Sequence, residues 1–167
     1  MKNIYLVGFM GTGKTTVGKI LAKTLKKDFL EMDETIEKEN GKKITEIFQI
    51  HGEPHFRELE KKLLLKISQK ENLIVSCGGG LICDKDNLEI LKKTGIIFNL
   101  TASKESIYKR TKRFKNRPLL NVEDPLRKIE ELLSLRMPFY NKAHHTINTD
   151  KTEPKLIAER IINILNG

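Results

Sequence analysis

The stretch Ile4-Tyr5-Leu6-Val7-Gly8-Phe9-Met10-Gly11-Thr12-Gly13-Lys14-Thr15 joins a short apolar run to a glycine-rich turn ending in a lysine and a threonine. Residues Gly8 to Thr15 fill every fixed position of the G-x-x-x-x-G-K-[ST] phosphate-binding loop, and Thr16 to Lys27 continue in a helix-compatible pattern. Strand, loop and helix in that order are the context the motif needs. The glycines let backbone N–H groups turn inward around a triphosphate, and the new helix directs the positive end of its dipole at the anion. Lys14 then places a cation against the β- and γ-phosphates, and Thr15 offers a hydroxyl to Mg²⁺.

Working outward, apolar runs at Ile4 to Val7, Phe29 to Met32, Leu73 to Cys77, Ile96 to Leu100 and His145 to Asn148 alternate with helical patterns. The expected helices are Thr15 to Lys26, Thr35 to Asn40, Ile44 to Ile50, Pro54 to Ser68, Asp84 to Lys93, Lys104 to Lys112, Pro125 to Tyr140 and Pro154 to Leu165. This alternation predicts an α/β domain with a parallel sheet, helices on both faces and ligands at the carboxyl ends of the strands. A chain of 167 residues without a Pro/Gly/Ser linker or repeat suits one domain over 1–167. Residues 113–125 break the pattern. They carry two prolines and several cations, as a loop that covers phosphates would.

The formal net charge of +9 comes from lysines spread over nearly every segment, so a solvated surface around a phosphate site is expected instead of a nucleic-acid partner. The N-terminal apolar run is too short to span a bilayer and lacks a signal-peptide cleavage site, which makes cytoplasm the expected compartment. Cys77 and Cys83 have no zinc-like or CxxC spacing, and the four histidines form no ligand pattern. Both cysteines are expected to be reduced and packed.

A phosphate loop alone does not separate a GTPase from a motor or a small kinase. The nearest match to a guanine-reading Asn-Lys-x-Asp, Asn141-Lys-Ala-His144, lacks the aspartate, and the length disfavours large ATPase machines. The other strand ends point to a kinase with a polar acceptor. Phe29-Leu-Glu-Met-Asp33 places Glu31 and Asp33 on one side of an extended segment, where one reaches a metal or its water and the other accepts a hydrogen bond from an acceptor hydroxyl. Asp33 could equally cap a helix starting near Glu34. Gly78-Gly79-Gly80 ends the third strand and allows close backbone approach to a small ligand. Arg57 and Arg136, both on expected helices, suit a carboxylate-bearing acceptor because a guanidinium fork meets a carboxylate bidentately.

Taken in order, Gly8 to Thr16, Glu31-Met-Asp33 with Ile36-Glu37, Ile44 to Phe48 leading to Gly52-Glu53 and Phe56-Arg57, Gly78 to Gly80, Arg117-Pro-Leu-Leu120, and Arg136 with Tyr140 resemble the shikimate kinase family over nearly the whole chain. The resemblance implies a nucleoside-monophosphate-kinase-like three-layer fold, a five-stranded sheet in order 2-3-1-4-5 and a mobile lid. It further implies transfer of the ATP γ-phosphate to the 3-hydroxyl of shikimate, on the route to chorismate and the aromatic amino acids, by a monomeric enzyme with Mg²⁺. In that reading Gly11, Thr12, Gly13, Lys14, Thr15 and Thr16 bind ATP, Arg110 lies near the adenine, and Arg117 is the lid arginine on the phosphates. Asp33, Arg57, Gly79, Gly80 and Arg136 hold shikimate, with Asp33 on its hydroxyl; Thr15 and Glu31 serve the metal, and Ser76 touches a metal-bound water. Lys14, Asp33 and Arg117 are the catalytic residues. The sequence departs from the family pattern at Glu31, where aspartate is usual, at Cys77, and after the fifth strand, where only Lys151 is available as a base near the adenine.

Overall fold

Alternation within the N-terminal run decides which residues enter which layer of the molecule. In β1 (Asn3–Val7) all five residues are buried, so the strand is covered on both faces. The computed structural model describes residues 2–114 and 118–167; Arg117, expected over the phosphates, lies outside the described residues. β2 (Asp28–Glu31), β3 (Leu73–Ser76), β4 (Gly95–Thr101) and β5 (His145–Asn148) complete a five-stranded sheet in the order β2-β3-β1-β4-β5. Every pairing is parallel. The order is the one the family resemblance implied, and it brings all five carboxyl ends to one edge.

On one face Ile4, Leu6, Ile74, Phe98 and Leu100 pack with Val17 and Leu21 of α1 (Lys14–Leu25) and with Ile157 and Ile161 of α7 (Pro154–Asn166). On the other, Tyr5, Val7, Val75 and Ile97 meet α3 (Ile44–Ser68) through Leu64 and Ile67, α4 (Lys85–Thr94) through Leu88 and Leu91, and α6 (Pro125–Tyr140) through Ile129 and Tyr140. Side-chain caps start several of these helices where the sequence offers an oxygen. Asp84 accepts from Asn87 N, Ser103 from Ser106 N at the head of α5 (Lys104–Thr111), and Asp124 from Arg127 N.

Two local departures from expectation stand out. The second strand stops at Glu31, one residue early, and α2 (Met32–Asn40) begins at Met32, not Thr35. The cap is Glu31, whose side chain accepts from Asp33 N, so Asp33 sits in the first helical turn and neither extends the strand nor caps the helix. The buried Met32 explains the early turn, since its side chain must enter the core just after the strand ends. The two helices expected at Ile44 to Ile50 and Pro54 to Ser68 are found as expected, contiguous within α3 but separated at Gly52, whose φ of 80° and ψ of 170° are non-helical. Finally, short 3-10 turns at Leu81–Cys83 and Pro118–Leu120 had not been anticipated.

Candidate active site

The phosphate loop leaves β1 and enters α1 through Gly13, which has φ 97° and open space where a Cβ would stand. Lys14, largely buried, folds back along its own loop, its Nζ donating to the carbonyls of Gly8 at 2.8 Å and Phe9 at 2.9 Å. Thr12 fixes the same turn, its hydroxyl donating to Phe9 O at 2.8 Å. The ammonium is thus held beside the loop's hollow by backbone carbonyls, within electrostatic reach of Glu31.

Thr15 donates through Oγ1 to Glu31 Oε2 at 2.9 Å, while Glu31 Oε1 receives Asp33 N at 3.2 Å. Burial raises the Glu31 carboxyl above its ordinary range; the Ser76 hydrogen bond opposes this, the Asp33 charge adds to it, and Thr15 and Lys14 pull it back. Thr15, Glu31, Asp33 and Ser76 line one cavity beside Lys14, an all-oxygen set that fits a hard divalent cation. No group of three or more His, Cys, Asp or Glu side chains suited to a metal exists among the described residues. A cation here would therefore complete its shell with phosphate oxygens and water.

A second cavity opens beneath α3 and α6 and is lined by Asp33, Arg57, Glu60, Gly78, Gly79, Gly80 and Arg136, with Phe48 and Phe56 as apolar walls. Arg57 donates from Nη1 to Glu60 Oε1 at 2.6 Å and from Nη2 to Glu53 Oε1 at 3.0 Å. Arg136 is 7% exposed, its guanidinium lies 5.4 Å from the Phe9 ring centroid, and its Nη1 has no hydrogen-bond partner among the described residues. A buried, unmatched guanidinium N–H is costly in isolation, and here it is open to an acceptor that enters the cavity. The Tyr140 hydroxyl donates to Gly79 O at 2.6 Å and so ties α6 to the triple glycine; burial raises it to about 12, so it remains a donor. A Cβ on Gly80 would come within 2.6 Å of Arg57 Nη1, so glycine is what lets the arginine lie there.

Glu60 was missed by sequence reasoning. It is 1% exposed, and Oε2 has no hydrogen-bond partner among the described residues. Burial pushes its carboxyl up to about 7 despite the opposing charge and hydrogen bond of Arg57. The available signal was its position three residues after Arg57 on one helical face.

Arg110 reaches the outer side of the phosphate loop, where Nη1 donates to Gly11 O at 3.0 Å and to Thr149 Oγ1 at 3.3 Å. With Thr149, Thr152 and Pro154 it borders a third cavity that continues from Gly11, Thr12, Gly13 and Thr16. Those three residues after β5, and not the exposed Lys151, form that border; sequence reasoning had not singled them out. Cys77 is buried, and burial raises its thiol, which suits a packing role at the end of β3.

A family profile described as shikimate kinase matches residues 10–166. The chain belongs to the shikimate kinase family. It is 49% identical over 162 residues to a shikimate kinase of Thermodesulfovibrio yellowstonii, covering 97% of this chain and 94% of the relative. Identity to a shikimate kinase of Caldicellulosiruptor saccharolyticus is 48%, over 98% of this chain and 95% of that one. Among solved structures, the Acinetobacter baumannii shikimate kinase in complex with shikimate superposes with a TM-score of 0.97 at 42% identity, covering 99% of this chain and 93% of the other. Membership makes this protein a kinase. In this shikimate kinase family member the expected residues of phosphate loop and arginine-lined cavity meet at one sheet edge, apart from Arg117, which lies outside the described residues.

Proposed function

We propose that the enzyme transfers the γ-phosphate of ATP to the 3-hydroxyl of shikimate, with Arg57 and Arg136 on the acceptor's carboxylate and Asp33 on the reacting hydroxyl. The observation that carries this reading is the buried, unmatched Nη1 of Arg136 in a cavity that also presents Arg57 and Asp33. Gly79 and Gly80 supply close backbone approach to the acid. Gly11 to Thr16 and Arg110 take the donor, and Thr15 with Glu31 would hold Mg²⁺, which when bound neutralises charge on the β- and γ-phosphates. Arg117 joins the phosphates in this reading on the family resemblance alone, as part of a lid over about 113–125.

In the transfer, the acceptor oxygen bonds to the γ-phosphorus, the bond to the β–γ bridging oxygen breaks, and ADP leaves. Asp33 orients the acceptor hydroxyl and takes its proton. Lys14 leaves its neutral carbonyl partners for phosphate oxygens that gain charge at the leaving side. The protein acts as a cytoplasmic monomer on small molecules, without a nucleic-acid or membrane partner. Purified enzyme with MgATP is expected to release ADP with shikimate and nearly none with gluconate or AMP; equal or greater release with gluconate would overturn the substrate assignment.

Glu60 gives this site a pH dependence of known sign. An anionic acceptor next to Glu60 raises a carboxyl already held at about 7, so binding takes up a proton and weakens as pH rises through that value. Calorimetric titrations of shikimate between about pH 6 and about pH 8.5 should show falling affinity and net proton uptake, with Glu60→Gln flattening the profile. A wild-type affinity that does not change across this range would mean that the Glu60 proton is not coupled to the acceptor.

A further inference from the structure

Phe114 is 60% exposed, yet it borders both the cavity that holds Lys14, Thr15 and Glu31 and the outer cavity that holds Arg110 and Pro154. Among the described residues it is the one aromatic ring lining either. Single exposed apolar residues are ordinary on protein surfaces. This one differs because it faces polar cavities on both sides and its backbone is anchored locally. Phe114 N donates to Thr111 O at 3.0 Å, and Thr111, itself buried, is tied by its hydroxyl to Ile107 O at 2.7 Å. A Cβ on Gly11 would come within 2.7 Å of Thr111 Cγ2, so the end of α5 rests directly on the phosphate loop. The ring therefore stands where a nucleotide running from Arg110 and Pro154 to Lys14 must pass.

We propose that Phe114 is a positioning and water-excluding residue of the donor cleft: its ring packs on the bound nucleoside triphosphate at the junction of the two cavities and denies water access to the transferring phosphate. The proposal rests on the reading of these cavities as the ATP site. The competing reaction it suppresses is hydrolysis. In that reaction a water oxygen bonds to the γ-phosphorus, the bond to the β–γ bridging oxygen breaks, and ADP, inorganic phosphate and a proton are released. An apolar ring opposes it by filling the approach without offering a hydrogen bond to hold the water.

The test compares the wild type with Phe114→Ala, Phe114→Leu and Phe114→Trp in the full chain. For Phe114→Ala the KM for ATP should rise about 5- to 30-fold, as expected for a partly lost aromatic contact. ADP formed per shikimate phosphorylated should rise above unity, and the KM for shikimate should hold within about 2-fold, with Phe114→Leu intermediate. Because the chain contains no tryptophan, Phe114→Trp is a sole indole reporter, whose emission should shift with MgATP and stay unmoved with shikimate alone. Unchanged coupling and ATP dependence in Phe114→Ala, or Trp emission indifferent to MgATP, overturns the proposal. A wild type that fails to phosphorylate shikimate with ATP overturns the functional reading instead.

Discussion

Replacing Lys14 with Met is expected to lower kcat about 10²-fold or more while leaving shikimate affinity within a few-fold. The buried ammonium is already in place before any phosphate arrives, held by the Gly8 and Phe9 carbonyls at 2.8 and 2.9 Å. Once it has exchanged these carbonyls for phosphate oxygens on ATP binding, the cation needs little further reorganisation when negative charge grows on the transferring group, and that is the condition under which one electrostatic donor contributes most. Met keeps most of the length and much of the volume, so the fold of the loop, secured separately by Thr12 on Phe9 O, should survive. Steady-state rates with saturating shikimate, together with a thermal melt, distinguish loss of charge from loss of structure. A near-normal kcat in a folded Lys14→Met protein would remove the lysine from the chemistry.

The ease with which Lys14 could be read from the sequence has a physical basis: its site is local. Strand, glycines and helix start lie within a dozen residues, and each backbone requirement is written in residue type. Arg57 and Arg136 could be singled out as candidate carboxylate ligands from type alone, but their neighbours could not. Glu60 acquires its character only when α3 buries it beneath Gly78, and Thr149 meets Arg110 only because β4 and β5 pair. The turn at Glu31 misled for a related reason. Its Glu-Met-Asp pattern reads as a strand end with both carboxylates on one side, whereas burial of Met32 and the hydrogen bond from Asp33 N to Glu31 convert it to a helix start. Both carboxylates nonetheless line one cavity, since Asp33 in a first helical turn still faces the space bordered by Gly78.

For Arg136→Ala the expected result is a loss of shikimate affinity by about 30-fold or more with ATP affinity nearly unchanged, corresponding to about 2–5 kcal/mol for a buried charge pair deprived of one partner. Arg136 offers a cleaner test than Arg57. Its Nη1 has no partner among the described residues, so that N–H is not committed in the free protein, although the rest of the guanidinium interacts with Tyr140, Phe9 and the Glu60 charge. Arg57→Ala, by contrast, strands Glu60 in the interior. That carboxyl, already at about 7 with the guanidinium beside it, would then bind its proton more tightly still and remain neutral at pH 7, which limits the cost to folding but alters the cavity's charge. The two variants should therefore differ in their melts: Arg57→Ala, which removes both a charge and a hydrogen bond from Glu60, should fall further below the wild type than Arg136→Ala, and more so as pH rises and Glu60 must ionise unpaired. Separate calorimetric titrations of shikimate and of an ATP analogue complete the comparison. Parallel weakening of both ligands in Arg136→Ala would place the arginine outside the acceptor site, because a guanidinium that binds only the acid's carboxylate has no direct contact through which to affect the donor.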